Sequence, residues 1–548
     1  MKRKSITAMI ALTVIAALGA FTRFVELDSA PPGLYIDEAS FGYNAYSILK
    51  TGRDEYGVRL PLFTRSFGTG KNPVYLYSTV ASVAVFGLNE KAVRRPAAVF
   101  GVLTIIVTYS LGVALIGSSA AGLLAALFLA LCPWHIFFSR FAVEVSSMTF
   151  FLALGMLLLL KGFKKPSLFP LAGIILGVSF FTYAPTIPFV PMMVAAFAFC
   201  FRNELAGRWK IFAFSMAIAA LFLALRMAPT GESQYQMDHF RSQTIFSARN
   251  DAASRDILKK STWPAPLFSE SRGVVLKSAV FIRNYISNYS PAFLFKSGDR
   301  STWRASVKGY GQFLRVTAPF LIAGLLLMIF SLTPERRFVL LWFLLYPIGA
   351  SITSALYPQA TRSMNAVPCY ELIFAAGAIW LYSTTKKILI SKTKVPVNII
   401  RTFLTVAFLI ILAIDFSGFA REYFTAYPKY SSYDWNAGFR ETISFSENKY
   451  PANQEITVSS GIPFSYIYPL FYTGYDPNLY QNRSTERTEP APIRVGRYVI
   501  RDPYLQRASG KQIFIVGFWE RPDLECISPP MKNGIKSVLK ICETRSSE

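Results

Sequence analysis

The dominant feature of this sequence is a series of apolar runs, each roughly 17–22 residues long, repeated along most of the chain. An α-helix needs about 20 apolar residues to cross the ~30 Å hydrocarbon layer of a membrane. A soluble protein of 548 residues would instead distribute its apolar residues among the cores of a few domains. The runs therefore predict a mainly α-helical, polytopic membrane protein.

We predict about eleven transmembrane helices by this length rule. The basic N-terminus and the apolar run after it are interpreted as an uncleaved first span, with the N-terminus inside, rather than as a signal peptide. The apolar part of residues 73–87 is only about 14 residues long, so this segment is expected at the membrane interface. The other spans are expected at 97–116, 119–136, 147–161, 167–184, 186–201, 210–228, 317–332, 338–356, 364–383 and 398–417.

The net charge of +25 would suggest nucleic acid in a soluble protein, but here its distribution indicates topology. If 73–87 does not cross, the short outside loops contain Arg140 and Arg362 as their basic residues. Membrane proteins normally carry an excess of Lys and Arg in their short cytoplasmic loops. If residues 73–87 crossed the membrane, every later loop would change sides and this excess would lie outside. Without that crossing, the basic residues placed inside are Lys2, Arg3, Lys4, Lys161, Lys164, Lys165, Arg202, Arg208, Lys210, Arg336, Arg337, Lys386, Lys387, Lys392 and Lys394.

The same topology predicts the domain organisation. A transmembrane domain covers 1–417 and includes two large outside segments, 26–96 and 229–316. A small extracytoplasmic α/β domain is expected over 418–548, where the composition changes. There, "QEITVSS", "GRYVI", "KQIFIVGF" and "KSVLKIC" have the β-branched and aromatic content of strands, and "YDWNAGFRETISFSENKY" is expected to be a helix.

Cysteine and histidine usage gives little indication of a metal site. The five cysteines and two histidines show no metal-ligand spacing. Cys526 and Cys542 could form a disulfide if the C-terminal region lies outside the cell. Whether they pair stays open at this point.

Two adjacent acids, Asp37 and Glu38, stand in "GLYIDEASFGYNAYSILKTG", directly before an amphipathic helical pattern. One interpretation is structural, since acids are favoured at helix N-caps and in the first helical turn. The other is catalytic, since the topology places both acids at the outer membrane surface. Both interpretations stay open from the local pattern alone.

Lys71 and Glu144 are further candidates on the same side. Lys71 could reach a phosphate at head-group level, or be a lysine that extends its ammonium to the interface. An acid at the position of Glu144 is costly unless it is solvated or paired, which marks it as a functional candidate. Arg140, four residues earlier, could pair with Glu144 on one helical face. Asp54 and Glu55 are interpreted as a solvated turn.

Arg362 is the basic residue of a short outside loop, "YPQATRSMNAVP". Its guanidinium could bind an anionic lipid phosphate with two donors, or make an ordinary head-group contact. Arg94 and Arg95 precede a span at the same level, and we expect mostly structural roles for them.

The order of these motifs resembles the GT-C superfamily of membrane glycosyltransferases, and more narrowly the bacterial relatives of protein O-mannosyltransferases and of aminoarabinose transferase. The resemblance rests on "IDEASFGYNAYSILKTGRDEYGVRLPLF", "GKNPVYLY" and "FGLNEKAVRRPAAVFGVLTIIVTYSLG", and is strongest over about 30–150. It implies Asp37, Glu38 and Glu144 as catalytic acids. It implies Lys71 and Arg362 as ligands of the donor phosphate, and we add Arg140 to these candidate ligands.

The resemblance also implies the reaction. Such enzymes transfer a sugar from a polyprenyl-phosphate donor to a lipid, polysaccharide or protein acceptor on the outer face of the membrane, usually with inversion. No cofactor is required and no metal ligand is assigned, although some relatives bind a divalent metal. The expected location is the bacterial plasma membrane, with the active site on the extracytoplasmic side and no role for nucleic acid. The alternative function is a transporter or flippase of lipid-linked glycans.

Overall fold

The computed structural model describes residues 2–67, 69–228, 241–262, 264–354, 358–393, 395–481, 493–504, 512–531 and 534–544. They divide into two compact units. The helical unit consists of Met1–Val25, Ala97–Ser139 and Glu144–Glu422. The mixed unit consists of Glu26–Pro96, Arg140–Val143 and Tyr423–Glu548.

Each of the eleven predicted spans contains a helix. Among the described residues, six helical segments are long and apolar enough to cross a membrane: Ile6–Phe24, Glu90–Ile116, Val145–Gly162, Arg202–Met227, Met364–Lys392 and Val397–Tyr430. The other predicted spans correspond to the shorter helices Ser119–Leu131, Leu168–Ser179, Thr186–Cys200, Ala318–Phe330 and Pro334–Leu345. Further helices of the helical unit are Pro133–Phe138, Asp251–Lys259, Gly273–Ser287 and Ile348–Ser351.

Small residues bring helices of the helical unit close together. A Cβ atom on Gly377 would overlap the carbonyl oxygen of Phe320, and one on Gly324 would overlap that of Ile373. Helices Ala318–Phe330 and Val367–Lys392 therefore touch backbone to backbone. Such contact between small residues is the usual way in which helices associate in lipid, where burial from water cannot drive their packing.

The mixed unit begins with the outside segment 26–96. It contains the helix Ile36–Thr51, which we call the acidic helix, and the antiparallel hairpin of β1 (Thr64–Ser66) and β2 (Thr69–Lys71). The next helix, Pro73–Phe86, has 14 residues. Its length is about 21 Å at 1.5 Å per residue, and its expected place at the membrane interface stays a prediction.

A six-stranded sheet forms the rest of the mixed unit, with the order β4-β5-β3-β6-β8-β7. The strands are β3 (Ile456–Ser459), β4 (Ile493–Val495), β5 (Tyr498–Arg501), β6 (Ile513–Gly517), β7 (Glu525–Ile527) and β8 (Leu539–Glu543). The central strand β3 pairs in parallel with β5 and β6. The helices of this part are Tyr427–Tyr430, Phe439–Lys449, Ile467–Thr473 and Pro477–Gln481.

The small C-terminal α/β domain predicted from composition is confirmed. The four predicted strands correspond to β3, β5, β6 and β8, and the predicted helix is Phe439–Lys449. The short strands β4 and β7 were not expected, since three residues are too few for a periodic pattern.

Cys526 and Cys542 form a disulfide. They lie opposite each other on β7 and β8. The bond thus fastens the short edge strand β7 to its neighbour, which resolves the pairing that the sequence left open.

Candidate functional site

The acidic helix begins with the two acids that the sequence indicated. Its N-cap is Tyr35, so Asp37 is the second helical residue and Glu38 the third. The Glu38 carboxylate turns back and accepts a hydrogen bond from the backbone N–H of Tyr35 (3.1 Å). This is the carboxylate half of a capping box. The capping role therefore belongs to Glu38, and the Asp37 carboxylate is left for other contacts.

Glu38 is fully buried, and protein groups bind both of its carboxylate oxygens. Arg94 donates to it from Nε (2.8 Å) and from Nη2 (2.7 Å). The backbone N–H of Ala142 donates to it as well, at 2.9 Å. Neither side chain of the Glu38–Arg94 pair has exposed area. Protonation of Glu38 would disrupt a buried ion pair, which is costly, so the geometry favours a structural role over the catalytic role predicted for Glu38.

Arg94 also holds the chain that leads into the acidic helix. Its Nη1 donates to the carbonyl oxygens of Leu27 and Pro31, both at 3.0 Å, and its Nη2 donates to that of Gly33. The Glu38–Arg94 pair therefore fixes residues 27–33 as well as the first turn of the helix. This is the kind of structural role expected for Arg94.

Asp37 forms an ion pair with Lys71. The Asp37 side chain keeps 40% of its area exposed, whereas that of Lys71 keeps 8%. The Lys71 ammonium also lies 4.8 Å from the centre of the Phe41 ring, in a cation–π contact. The structure thus joins two predicted site residues in one pair, in which the carboxylate is the accessible partner.

The β1–β2 hairpin brings Lys71 to Asp37. Lys71 is the last residue of β2 and lies opposite Thr64 of β1. A hydrogen bond of 2.6 Å between the hydroxyls of Ser40 and Ser66 ties the acidic helix to β1. Lys71 therefore lies on a strand that is anchored to the helix that presents Asp37.

The prediction that Asp54 and Glu55 form a solvated turn is wrong, because both side chains are completely buried. Asp54 Oδ1 accepts hydrogen bonds from the backbone N–H groups of Tyr56 and Val58, both at 2.9 Å. Glu55 Oε1 accepts one from the Asn44 side chain (3.0 Å). The two acids fold the turn back onto the acidic helix, and their local pattern resembles that of an ordinary exposed turn.

Arg140 is buried among backbone carbonyls and aromatic rings of the mixed unit. It donates to the carbonyl oxygens of Ala30 (2.7 Å) and Glu26 (3.0 Å), and its guanidinium lies 4.8 Å from the Phe424 ring centre. Burial lowers the pKa of the Arg140 guanidinium. Through these contacts, the Arg140 side chain fixes the backbone of residues 26–30. Its predicted partner Glu144 belongs to the helical unit.

The helical unit contains two further predicted site residues, Glu144 and Arg362. Glu144 stands at the start of the helix Val145–Gly162 and is 8% exposed. Arg362 also donates to the side-chain oxygen of Gln243. The candidate acid Glu144 and the candidate phosphate ligand Arg362 thus belong to the same unit.

Asp299 holds the loop that carries Arg362. Its Oδ2 accepts a hydrogen bond from the backbone N–H of Ala360 (2.9 Å), and its Oδ1 accepts two from Ser301. Burial raises the pKa of Asp299. The hydroxyl of Ser363 donates to Asn288 Oδ1 (2.7 Å) on the other side of Arg362. Sequence reasoning had no signal for Asp299, which is one of six acids in the outside segment 229–316.

Within the described residues, no three His, Cys, Asp or Glu side chains come together in a way that could hold a metal ion. We therefore assign no metal ligand and no metal-dependent step to any residue.

Residues 70–227 match the model of the dolichyl-phosphate-mannose-protein mannosyltransferases. An uncharacterised protein of Aquifex aeolicus (strain VF5) is 29% identical over 168 residues, which are 30% of this chain and 33% of that relative. The chain thus matches about a third of the length of this curated relative.

Two solved structures share the fold over most of the chain. ArnT from Cupriavidus metallidurans, solved with bound undecaprenyl phosphate, is similar at a TM-score of 0.55 and 12% identity, over 97% of both chains. The archaeal oligosaccharyltransferase AglB from Archaeoglobus fulgidus, in complex with an inhibitory peptide and a dolichol-phosphate, gives a TM-score of 0.51 and 13% identity. That match covers 86% of this chain and 64% of AglB.

These similarities confirm what the motifs of residues 30–150 predicted about the fold. The apolar helices and the small sheet domain are those of a membrane protein built like ArnT and AglB. The chain is therefore an integral membrane protein with the fold of the GT-C glycosyltransferases.

Proposed function

We propose that this protein is a glycosyltransferase that moves a sugar from a polyprenyl-phosphate donor to a lipid, polysaccharide or protein acceptor. The observation that carries the proposal is the pair of an accessible Asp37 and a nearly buried Lys71 at the start of a helix. The match of residues 70–227 to a mannosyltransferase model supports the reaction class. The undecaprenyl phosphate bound to the similar ArnT supports the donor class.

Asp37 is the proposed general base. A hydroxyl is a poor nucleophile, so a carboxylate that accepts its proton as the new bond forms accelerates attack by about 10²–10⁴-fold. The acceptor oxygen bonds to the anomeric carbon while the bond from that carbon to the phosphate oxygen breaks. The electron pair of the broken bond leaves with the polyprenyl phosphate. A single displacement of this kind inverts the configuration at the anomeric carbon and needs no covalent enzyme intermediate.

Lys71 is the proposed ligand of the donor phosphate. The leaving phosphate gains negative charge as the bond breaks, and a fixed cation stabilises that charge most in a site with little water. The buried stem of Lys71 and its contact with Phe41 hold the ammonium in place before the donor arrives. In the free protein, Asp37 balances this charge.

The other predicted residues have narrower roles in this proposal. Glu38 positions the first turn of the acidic helix through Arg94 and does not act as a base. Arg140 holds residues 26–30. In the helical unit, Arg362 is the proposed contact of an anionic lipid group, and Glu144, at the start of the helix Val145–Gly162, stays a candidate acid.

We propose that the mixed unit faces the extracytoplasmic side. The Cys526–Cys542 disulfide supports this side, because disulfides persist in oxidising compartments and are rare in the cytosol. The basic residues predicted in the inside loops support the same orientation.

The test compares Asp37→Asn with Asp28→Asn. Asp28 belongs to the same outside segment and forms an ion pair with Lys91 (3.2 Å), so it is a matched control. A strain that lacks the gene is complemented with each variant, and its lipids and glycans are analysed for the one sugar that the wild type adds. We expect Asp37→Asn to lose that sugar and Asp28→Asn to keep it. Full transfer by a well-expressed Asp37→Asn, or glycan translocation without covalent transfer, would overturn the proposal.

A further inference from the structure

Two phenylalanines of the mixed unit, Phe67 and Phe464, adopt a backbone conformation that bulky residues rarely take. Their φ angles are +52° and +55°. This left-handed region is unfavourable for residues other than glycine, because the Cβ atom comes too close to the following carbonyl oxygen. The two rings are in contact, with their centres 4.5 Å apart and an angle of 33° between their planes. Two strained positions that are distant in sequence thus meet in one aromatic contact, and such strain concentrates at functional sites.

Phe67 stands at the tip of the hairpin that carries Lys71. It directly follows β1, and two residues separate β1 from β2. A two-residue hairpin turn requires a positive φ at its first position, where Gly, Asn or Asp is the usual residue. Phenylalanine is a poor choice for the turn itself, so its ring has a role outside the turn.

The hairpin needs support from outside, because its two strands join through only three residue pairs. A two-stranded hairpin alone is at best marginally stable in water. At the tip, the Phe67 ring packs against Phe464 and lies 6.1 Å from the Tyr466 ring, edge to face. Lys71 ends β2, and its long stem is flexible, so its ammonium is only as well placed as the strand that carries it.

The turn that carries Phe464 is itself tied to the acidic helix. The hydroxyl of Ser465 donates to the carbonyl oxygen of the last residue of β3 (3.1 Å). The hydroxyl of Tyr468 donates to the carbonyl oxygen of Leu34 (3.0 Å), three residues before Asp37. The Phe464 ring is therefore held in a fixed position relative to the start of the acidic helix.

We propose that Phe464 is a positioning residue for Lys71. Its ring holds Phe67 at the tip of the hairpin, and the hairpin holds the Lys71 ammonium beside Asp37. This step rests on the proposed function, in which Lys71 binds the donor phosphate. A residue of the C-terminal sheet region, 393 residues after Lys71 in sequence, thereby sets the geometry of the transfer site.

The test is Phe464→Gly in the full-length protein in nanodiscs. Glycine keeps the positive φ without strain and removes the ring. The lost contact and the relieved strain oppose each other, so the unfolding temperature should change little. Amide hydrogen exchange of residues 64–71, followed by mass spectrometry, should become faster. Transfer should fall at least about tenfold, since a small displacement of a catalytic group can cost up to about 10²-fold.

Two variants serve as controls. Phe464→Tyr keeps the ring and should keep both the exchange rate and the transfer rate of the wild type. Leu60→Gly also replaces an exposed apolar residue with positive φ in the mixed unit, since Leu60 has a φ of +40° and is 59% exposed. It should change neither rate.

A double-mutant cycle separates positioning from a general structural role. If Phe464 acts through Lys71, Phe464→Gly should lower transfer by less than about twofold when Lys71→Ala is already present. An equal fold-loss on both backgrounds would overturn the inference, and so would hairpin exchange that Phe464→Gly leaves unchanged. Failure of the proposed function gives a different result, in which the wild type transfers no sugar. Hairpin exchange that still responds to Phe464→Gly would then support the placement of Lys71 by Phe464.

Discussion

Two ion pairs at the start of the acidic helix differ in burial, although their acids, Asp37 and Glu38, are neighbours in sequence. Glu38 and Arg94 have no exposed side-chain area, whereas the side chain of Asp37, paired with Lys71, is 40% exposed. Glu38 accepts hydrogen bonds from three different residues of the mixed unit. The buried pair is thus structural, and the accessible pair retains a carboxylate that can exchange its partner.

The contrast shows how one sequence motif can contain both a support and a reactive group. A helix fixes adjacent side chains in directions about 100° apart, so neighbouring acids face different surroundings. Here, one direction leads to Arg94 and the other to Lys71. Burial, and not residue type, therefore decides which acid is available for chemistry.

The largest expected effect is that of Arg94→Ala on stability. This change leaves the buried Glu38 carboxylate without its cation, which typically costs about 3–5 kcal/mol. It also removes the donors to Leu27, Pro31 and Gly33. We expect a lower unfolding temperature and a much lower yield of folded protein, measured by thermal unfolding of the detergent-solubilised chain.

The adjacent Arg95 supplies the control for this prediction. Its guanidinium lies 3.7 Å from the centre of the Phe86 ring, and its side chain is partly exposed. Arg95→Ala should cost far less than Arg94→Ala. Equal losses from both variants would contradict a special role for the Glu38–Arg94 pair.

The next effect in size is expected for Lys71→Ala, and it concerns activity. Removal of a group that stabilises charge in a transition state commonly lowers the rate by about 10²–10³-fold. The fold should be little affected, because Asp37 can be solvated when its partner is removed. The measurement is transfer from a polyprenyl-phosphate donor, together with the unfolding temperature.

Lys50→Ala is a suitable comparison, since Lys50 lies on the same acidic helix and contacts the Tyr46 ring at 5.7 Å. It should retain wild-type transfer. A Lys71→Ala variant that transfers sugar as fast as Lys50→Ala would remove Lys71 from the proposed site and leave the accessible pair without a function.

A smaller effect is expected for Asp299→Asn in the helical unit, where a buried acid again supports a basic residue. An asparagine has one acceptor oxygen, so it cannot replace both the bond to Ala360 and those to Ser301. Loss of one such hydrogen bond costs about 1–3 kcal/mol. If Arg362 binds an anionic group, transfer should fall because its loop loses its anchor.

Asp256→Asn is the control for Asp299, because Asp256 is an exposed acid that pairs with Lys260 at 2.8 Å. It should change neither stability nor transfer. If Asp299→Asn behaves in the same way, the loop that carries Arg362 is held by other contacts.

The sequence could predict elements whose signal is local. Apolar runs indicated the helices, and β-branched runs indicated four of the six strands of the sheet. Lys71 was recognisable because it precedes the helix that starts at Pro73. These predictions rest on periodicity and on residue types that are close together in the chain.

Partners that are distant in sequence could not be predicted in this way. Arg94 is 56 residues from Glu38, and Ala142 is 104 residues from it, so no local pattern reveals that they satisfy its carboxylate. Asp54 and Glu55 were misjudged for the same reason, since the Asn44 contact that buries Glu55 depends on tertiary structure.

The smallest expected effect concerns a third ion pair of the outside segment 26–96, that of Asp28 with Lys91. Its side chains are 21% and 48% exposed. Burial alone would raise the pKa of Asp28, but the hydrogen bond and charge of Lys91 bring it below the ordinary 3.8. A carboxyl group whose pKa is lowered by folding stabilises the protein above its unfolded pKa. That contribution is lost as the pH falls through the folded pKa.

Asp28→Asn should therefore flatten the dependence of stability on pH below about pH 4, where Asp28 takes up its proton. Because the pair is largely solvated, the change at neutral pH should be only about 0.2–1 kcal/mol. Unfolding temperatures of the wild type and the variant, measured between pH 3 and pH 7, test this. The two curves should converge in acid, and a difference that stays constant across this range would mean that Asp28 acts by packing and not by charge. The three pairs would then no longer form a series in which the stabilisation follows burial.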